Sequence, residues 1–258
     1  MLTVGVDLSS QPLRTAACSI EWTVAGPRIR QLFAPPVDDD QICELASGAD
    51  RVAIDAPFGW PEAFVQSIVA NASGGPWPDA PASSLRFRAT EMVAQQVTGN
   101  APLSQSTSPL AFLGFRAARL RTRLGPLGHP AAVDGSDGII EVYPAAALAR
   151  WGLPAREYKR DEPLHHARRI AIVDALLDAL PGLSGYTDTL VASSDALDAL
   201  VCALVGRAHA IGLVDQIPPE LGTLAGTEGW IWVPRGAPAD LSSSGTERPG
   251  RVAGAADP

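Results

Sequence analysis

Apolar residues in this chain gather into short runs that close on an acid or on turn residues, and their spacing predicts the elements one after another. Leu2–Asp7 is a near-continuous apolar run ending in an acid, the pattern of a buried strand. Arg14–Glu21 and Arg28–Phe33 follow as strands, separated by turn residues around Gly26-Pro27, which predicts an antiparallel meander of three strands. Asp38–Ala46 reads as a short helix with acids in its first turn, where the backbone dipole favours them. Arg51–Asp55 is a fourth strand, and Pro57, Gly59 and Pro61 force the turn after it. Pro61 suits the first position of a helix reaching about Ala70.

Asn71–Ser84 is rich in Gly, Pro, Ser and Ala and is expected to be a loop. Helices are expected over Phe87–Val97 and Leu110–Leu124, then a loop over Gly125–Gly138 and a short strand over Ile139–Val142. Pro144–Trp151, Pro163–Leu180 and Leu190–Ile211 read as helices, and Gly229–Val233 as a last strand or an extended cap. This order describes an α/β fold, a mixed sheet flanked by helices with a helical insertion, and no linker or internal repeat divides it. One domain over residues 1–235 is expected, followed by a disordered tail over 236–258 where Gly, Pro, Ser and Ala dominate.

Composition narrows the function classes. Apolar residues make up 46% of 258, enough for a sizeable core, and 19% charged residues lie below the roughly 25% of an average domain. The formal net charge of −8 argues against extensive non-specific binding to nucleic acid, while leaving room for a local basic groove. Of 20 basic residues, Lys159 is the only lysine. Cys18, Cys43 and Cys202 are odd in number and far apart, which fits reduced thiols in a cytoplasmic protein better than a disulfide framework. The N-terminal sequence has no signal-peptide pattern, and no run of about 20 apolar residues is present to span a bilayer.

The candidate chemistry lies in the carboxylates. Asp7 and Asp55 each end an apolar strand, and sites in open α/β sheets form beyond the carboxyl ends of strands. If the two strands are neighbours, both carboxylates project into one crevice; either acid alone could cap the turn after its strand, but the two together are better explained by metal binding. Asp195 and Asp198 are three apart, hence on one face of a helix whose other residues are almost all apolar. An ionised acid buried there needs a partner, and a divalent cation is a suitable one. A helix starting near Ser193 would explain Asp195 as a first-turn dipole contact instead, an explanation that fits Asp198 less well. Glu141 ends the strand Ile139–Val142 and either joins the site or, by alternation with Ile140 and Val142, faces solvent.

Gly5-Val6-Asp7-Leu8-Ser9, Ile54-Asp55-Ala56-Pro57-Phe58-Gly59-Trp60-Pro61, Glu141-Val142-Tyr143-Pro144-Ala145 and Asp195-Ala196-Leu197-Asp198-Ala199 together resemble the domain of unknown function 429 family. The resemblance runs from about Leu2 to Pro234 and takes in Arg88-Ala89-Thr90-Glu91, Tyr158-Lys159 and Gly229-Trp230-Ile231. It implies an RNase H-like fold and a nuclease. In that superfamily an acid on the first strand, one on the fourth and others on a late helix hold two Mg²⁺ or Mn²⁺ ions. Asp7, Asp55, Asp195 and Asp198 take those places here. The family pattern has Asp after Arg-x-Thr, where this chain has Glu91, and the longer side chain puts a metal role for it in doubt.

On this reading Asp7 bridges the ions, Asp55, Asp195 and Asp198 are outer ligands, and Glu141 is a further ligand or a water-orienting base. Arg88 and Lys159 are expected to contact substrate phosphate, or else to be surface charge or to form salt bridges with Glu91 or Asp161. The substrate would be nucleic acid or a nucleotide. Two rivals differ in class: an ATP-dependent phosphotransferase of the sugar-kinase and actin type with Asp7-Leu8-Ser9-Ser10 as its phosphate loop, and a binding module without turnover. Nothing in the sequence addresses oligomeric state.

Overall fold

The computed structural model describes residues 1–99, 103–130 and 132–243. The strands are β1 (Leu2–Asp7), β2 (Ala16–Thr23), β3 (Gly26–Phe33), β4 (Arg51–Asp55) and β5 (Ile139–Glu141). The helices are α1 (Asp39–Ala46), α2 (Glu62–Ala72), α3 (Ala82–Arg86), α4 (Ala89–Thr98), α5 (Leu110–Leu124), α6 (Pro144–Arg150), α7 (Pro163–Ala179), α8 (Thr187–Ala192), α9 (Ser194–Ala210) and α10 (Gly222–Glu228). The strands form one mixed sheet in the order β3-β2-β1-β4-β5. The first three are antiparallel neighbours, as the meander predicts, while β4 and β5 run parallel to β1. The parallel pairing sets Asp7 opposite Asp55 at the same end of the sheet.

Strand alternation divides the core between two faces. Val4, Val6, Val52, Ile54 and Ile139 pack with Ile42 and Leu45 of α1 and with Leu120 and Leu124 of α5. On the other face Ala53 and Ile140 pack with Leu197, Ala199, Leu200 and Ala203 of α9. The central strand is therefore covered on both sides, the reason its sequence reads as a continuous apolar run rather than an alternating one.

Close approach of α9 depends on small residues. A Cβ on Gly5 would strike the Ala199 carbonyl oxygen and the Ala203 nitrogen, so the bare backbone of β1 lets the helix lie directly against the strand. Gly206, one turn further, passes over Ala53 and Thr3.

Three stretches depart from the sequence expectation or decide between its alternatives. The helix expected over Leu190–Ile211 is broken at Ser193, which is extended (φ −120°, ψ 115°) and accepts a hydrogen bond from the Ala196 N–H as the N-cap of α9. A short helix, α3, interrupts the expected loop over Asn71–Ser84. Gly229–Val233 forms no regular strand; Ile231 makes a single parallel bridge to Glu141 at the edge of the sheet.

The stretch 236–243, expected to be disordered, is folded: Pro238–Ser242 is a 3₁₀ turn that buries Leu241 completely. Arg207 fixes it by donating to the carbonyl oxygens of Leu241 and Ser243. The remainder of the expected tail, 244–258, lies outside the described residues.

Candidate metal centre

Asp7 ends β1, Asp55 ends β4, and Asp198 sits early in α9. Asp7 shares a face with Gly5 and Asp55 with Ala53, the face that α9 covers. The helix thus delivers Asp198 to the point where the two strands end. One carboxylate oxygen from each of the three lies within 4.8 Å of the other two. No described residue donates a hydrogen bond to the carboxylate of Asp7 or Asp55, and Asp198 has no exposed surface.

Concentrated negative charge with little solvent disfavours ionisation. Burial, then the neighbouring Asp198 and Asp55, raise Asp7 well above the usual carboxylate range. Burial is also the main cause at Asp55, whose pKa is pushed up to about 7 although Lys159 pulls it down.

The fourth aspartate of the sequence expectation stands apart. Asp195 lies in the first turn of α9, half-buried, and its Oδ1 accepts from the Ser194 hydroxyl at 3.2 Å. It is not among the three mutually close carboxylates, and the helix-start explanation accounts for its position. It is near enough to add to the upward pressure on the Asp7 pKa.

Asp198 is held from both sides. The Tyr158 hydroxyl donates to Oδ1 at 2.8 Å, and the Lys159 ammonium lies 2.6 Å from Oδ2 as an ion pair rather than a well-directed hydrogen bond. Tyr158 is 1% exposed, whereas 54% of the Lys159 side chain is exposed although its ammonium meets the fully buried Asp198. Desolvation works to lower the Lys159 pKa, but Asp198, Tyr158, Asp55 and Asp7 outweigh it and raise it well above the usual value. Its partner is neither Glu91 nor Asp161.

Glu141 and Arg88 occupy different positions from those expected of them. Glu141 follows Ile139 in the alternation of β5 and pairs in register with Ile54, so its side chain leaves the sheet on the face opposite the three aspartates. There its carboxylate accepts from Arg88 Nη1 at 2.9 Å, Arg88 Nη2 at 2.7 Å and the Phe58 N–H at 2.9 Å. Arg88, 1% exposed, also reaches Glu91 Oε1 at 3.2 Å and the Glu228 carbonyl at 2.9 Å. Burial works against the charge of Arg88, but Glu141 and Glu91 raise its pKa. The guanidinium expected to bind phosphate is spent on internal partners, including the Glu91 that was its alternative. Gly229 sits at φ 91°, and a Cβ there would lie only 3.0 Å from both Arg88 Nη1 and Glu141 Oε2.

Two contributors carried no readable signal along the chain. Glu228 receives the Glu62 N–H at 2.7 Å and the Ala89 N–H at 2.8 Å, so one carboxylate serves the first turns of both α2 and α4. A cavity of about 260 Å³ opens beside Asp55 and Lys159, walled by Ala94, Leu110, Leu113 and Val142 with Gln95 and Tyr143 among its polar groups. In the segment expected to wrap phosphates under the phosphotransferase reading, the Ser9 N–H donates to Thr15 and its carbonyl accepts from Arg116, which leaves less backbone for a ligand.

No helix among the described residues is long and apolar enough to cross a membrane. No curated protein and no solved structure matches the chain. One family model matches residues 5–222, a span that includes all three converging aspartates, Lys159, Arg88 and Glu141, and the chain therefore belongs to the family described as protein of unknown function (DUF429).

Proposed function

We propose that this chain is a divalent-metal-dependent phosphodiester hydrolase of RNase H-like fold, acting on nucleic acid or a nucleotide. The observation that carries the reading is the convergence of Asp7, Asp55 and Asp198 from the first strand, the fourth strand and a late helix onto one point at the carboxyl ends of the parallel strands. The donor set fits the ion. Three carboxylates are hard oxygen ligands of the kind Mg²⁺ and Mn²⁺ prefer, and two of them accept no hydrogen bond from any described residue. A divalent cation there supplies Lewis acidity toward a phosphate oxygen and lowers the pKa of bound water.

Asp7 and Asp55 would hold the ion from the strand ends, and Asp198 from the helix. Tyr158 positions Asp198 by occupying one of its oxygens. Lys159 brings a point charge to the cluster, within reach of a phosphate that bound beside it. The Arg88–Glu141 pair stands behind the site and fixes the Phe58 backbone, three residues beyond Asp55.

Calorimetric titration with Mn²⁺ and a panel of labelled single-stranded, duplex, hybrid and branched substrates test the reading together. Native protein is expected to bind Mn²⁺ and cleave at least one substrate, and Asp7→Asn to lose both. Unchanged Mn²⁺ binding in Asp7→Asn would sink the metal assignment, while tight Mn²⁺ binding with no cleavage of any substrate would leave a binding module in place of a hydrolase.

A further inference from the structure

The lysine at the centre changes how many metal ions the cluster can take. We propose that the Lys159 ammonium stands in place of a second cation, so that the site binds one divalent ion where two would otherwise sit. The inference rests on the metal-binding reading above and concerns only the number of ions and the role of this side chain.

Position is the first argument. Divalent ions of a paired site lie roughly 3.5–4 Å apart and share a carboxylate between them. Here the carboxylate delivered by α9 already carries a cation: Lys159 Nζ is 2.6 Å from Asp198 Oδ2. The other oxygen of Asp198 accepts from Tyr158. Asp7 and Asp55, by contrast, feel the Lys159 charge but accept no hydrogen bond from a described residue, and both lie within reach of the same Asp198 group. Both oxygens of Asp198 are therefore occupied by the protein, and the carboxylates of Asp7 and Asp55 are what a single ion has left to bind.

Charge is the second. Asp7, Asp55 and Asp198 with the Lys159 ammonium carry two net negative charges, which one divalent ion neutralises. Two divalent ions beside the ammonium would bring five positive charges against three carboxylates, or against four with the half-buried Asp195. In a partly desolvated site like-charge repulsion of that size is costly. The placement of the charge points the same way: a lysine side chain 54% exposed would ordinarily keep its ammonium in solvent, and this one sets it against a fully buried carboxylate.

The test is a count of bound Mn²⁺ by the loss of the free-ion electron paramagnetic resonance signal, with the full-length chain. Native protein is expected to take up one ion per chain with the spectrum of an isolated Mn²⁺. Lys159→Ala, checked for folding by circular dichroism, is expected to take up two, a twofold rise, with the spectrum of a coupled pair. Lys159→Arg keeps a cation in place and is expected to stay at one. Two ions in the native chain, or one in both native and Lys159→Ala, overturns this inference while the metal reading stands. No Mn²⁺ uptake by the native chain overturns both.

Discussion

At the scale of single residues the centre is under electrostatic strain that function would require. Asp55 has its pKa pushed up to about 7 from an ordinary 3.8, mainly by burial. A carboxyl whose folded pKa is raised binds more protons folded than unfolded, so its contribution to stability falls as pH rises between those values and stays low above them. Asp55→Asn removes that cost. Without metal it is expected to raise stability by about 2 kcal/mol at pH 8 and to change little at pH 4, as urea denaturation at the two pH values would show. Equal effects at both would mean that the buried charge is not what destabilises the native chain. Tyr158 has the opposite character, because its hydroxyl donates the hydrogen bond that holds Asp198 Oδ1. Tyr158→Phe is expected to cost about 2 kcal/mol, the range for a hydrogen bond to a charged group, and to weaken Mn²⁺ binding by about tenfold through loss of ligand positioning. Calorimetry and denaturation on the same sample measure both effects.

At the scale of elements, one contact sets the geometry. Helix α9 can place Asp198 beside Asp7 only because Gly5 lets its backbone touch β1. The obstacles to a Cβ at Gly5 are backbone atoms, which cannot rotate aside, so Gly5→Ala must push the helix away from the sheet. An expected loss of about 3 kcal/mol in thermal or urea unfolding should be accompanied by weakened Mn²⁺ binding, although no ligand is altered. Stability lost with Mn²⁺ affinity intact would show that the helix adjusts without moving Asp198. The start of α9 matters as well. The sequence reading extends one helix from Leu190 to Ile211, and the break at Ser193 is what turns Asp195 into a first-turn residue. Serine favours an N-cap but also sits within helices, so local preference alone did not place the break.

At the scale of the whole molecule, the chain closes on itself near its described end. Leu241 is fully buried, and Arg207 ties its segment to α9 while stacking over Trp22 of β2 at 5.0 Å. A chain ending at Arg235 is expected to be about 2 kcal/mol less stable than one ending at Ser243, the value of one buried leucine; matched unfolding curves for the two lengths decide it. Composition misled here, because Gly, Pro and Ser predict a tail while a single leucine with a waiting pocket is enough to hold it. The sequence by itself determined much of the rest: five strands near their observed limits, the antiparallel meander, the helix over Leu110–Leu124, and three acids set at the ends of apolar segments. These are local consequences of periodicity and of the cost of burying charge, which any stretch of chain carries with it. Only the tertiary structure decided which acids meet. Strand register put Asp7 beside Asp55, strand parity sent Glu141 to the opposite face to take Arg88, and the approach of α9 chose Asp198 over Asp195 and brought Lys159 to it. Those outcomes depend on residues tens to more than a hundred positions apart, and no spacing along the chain encodes a contact made across the sheet.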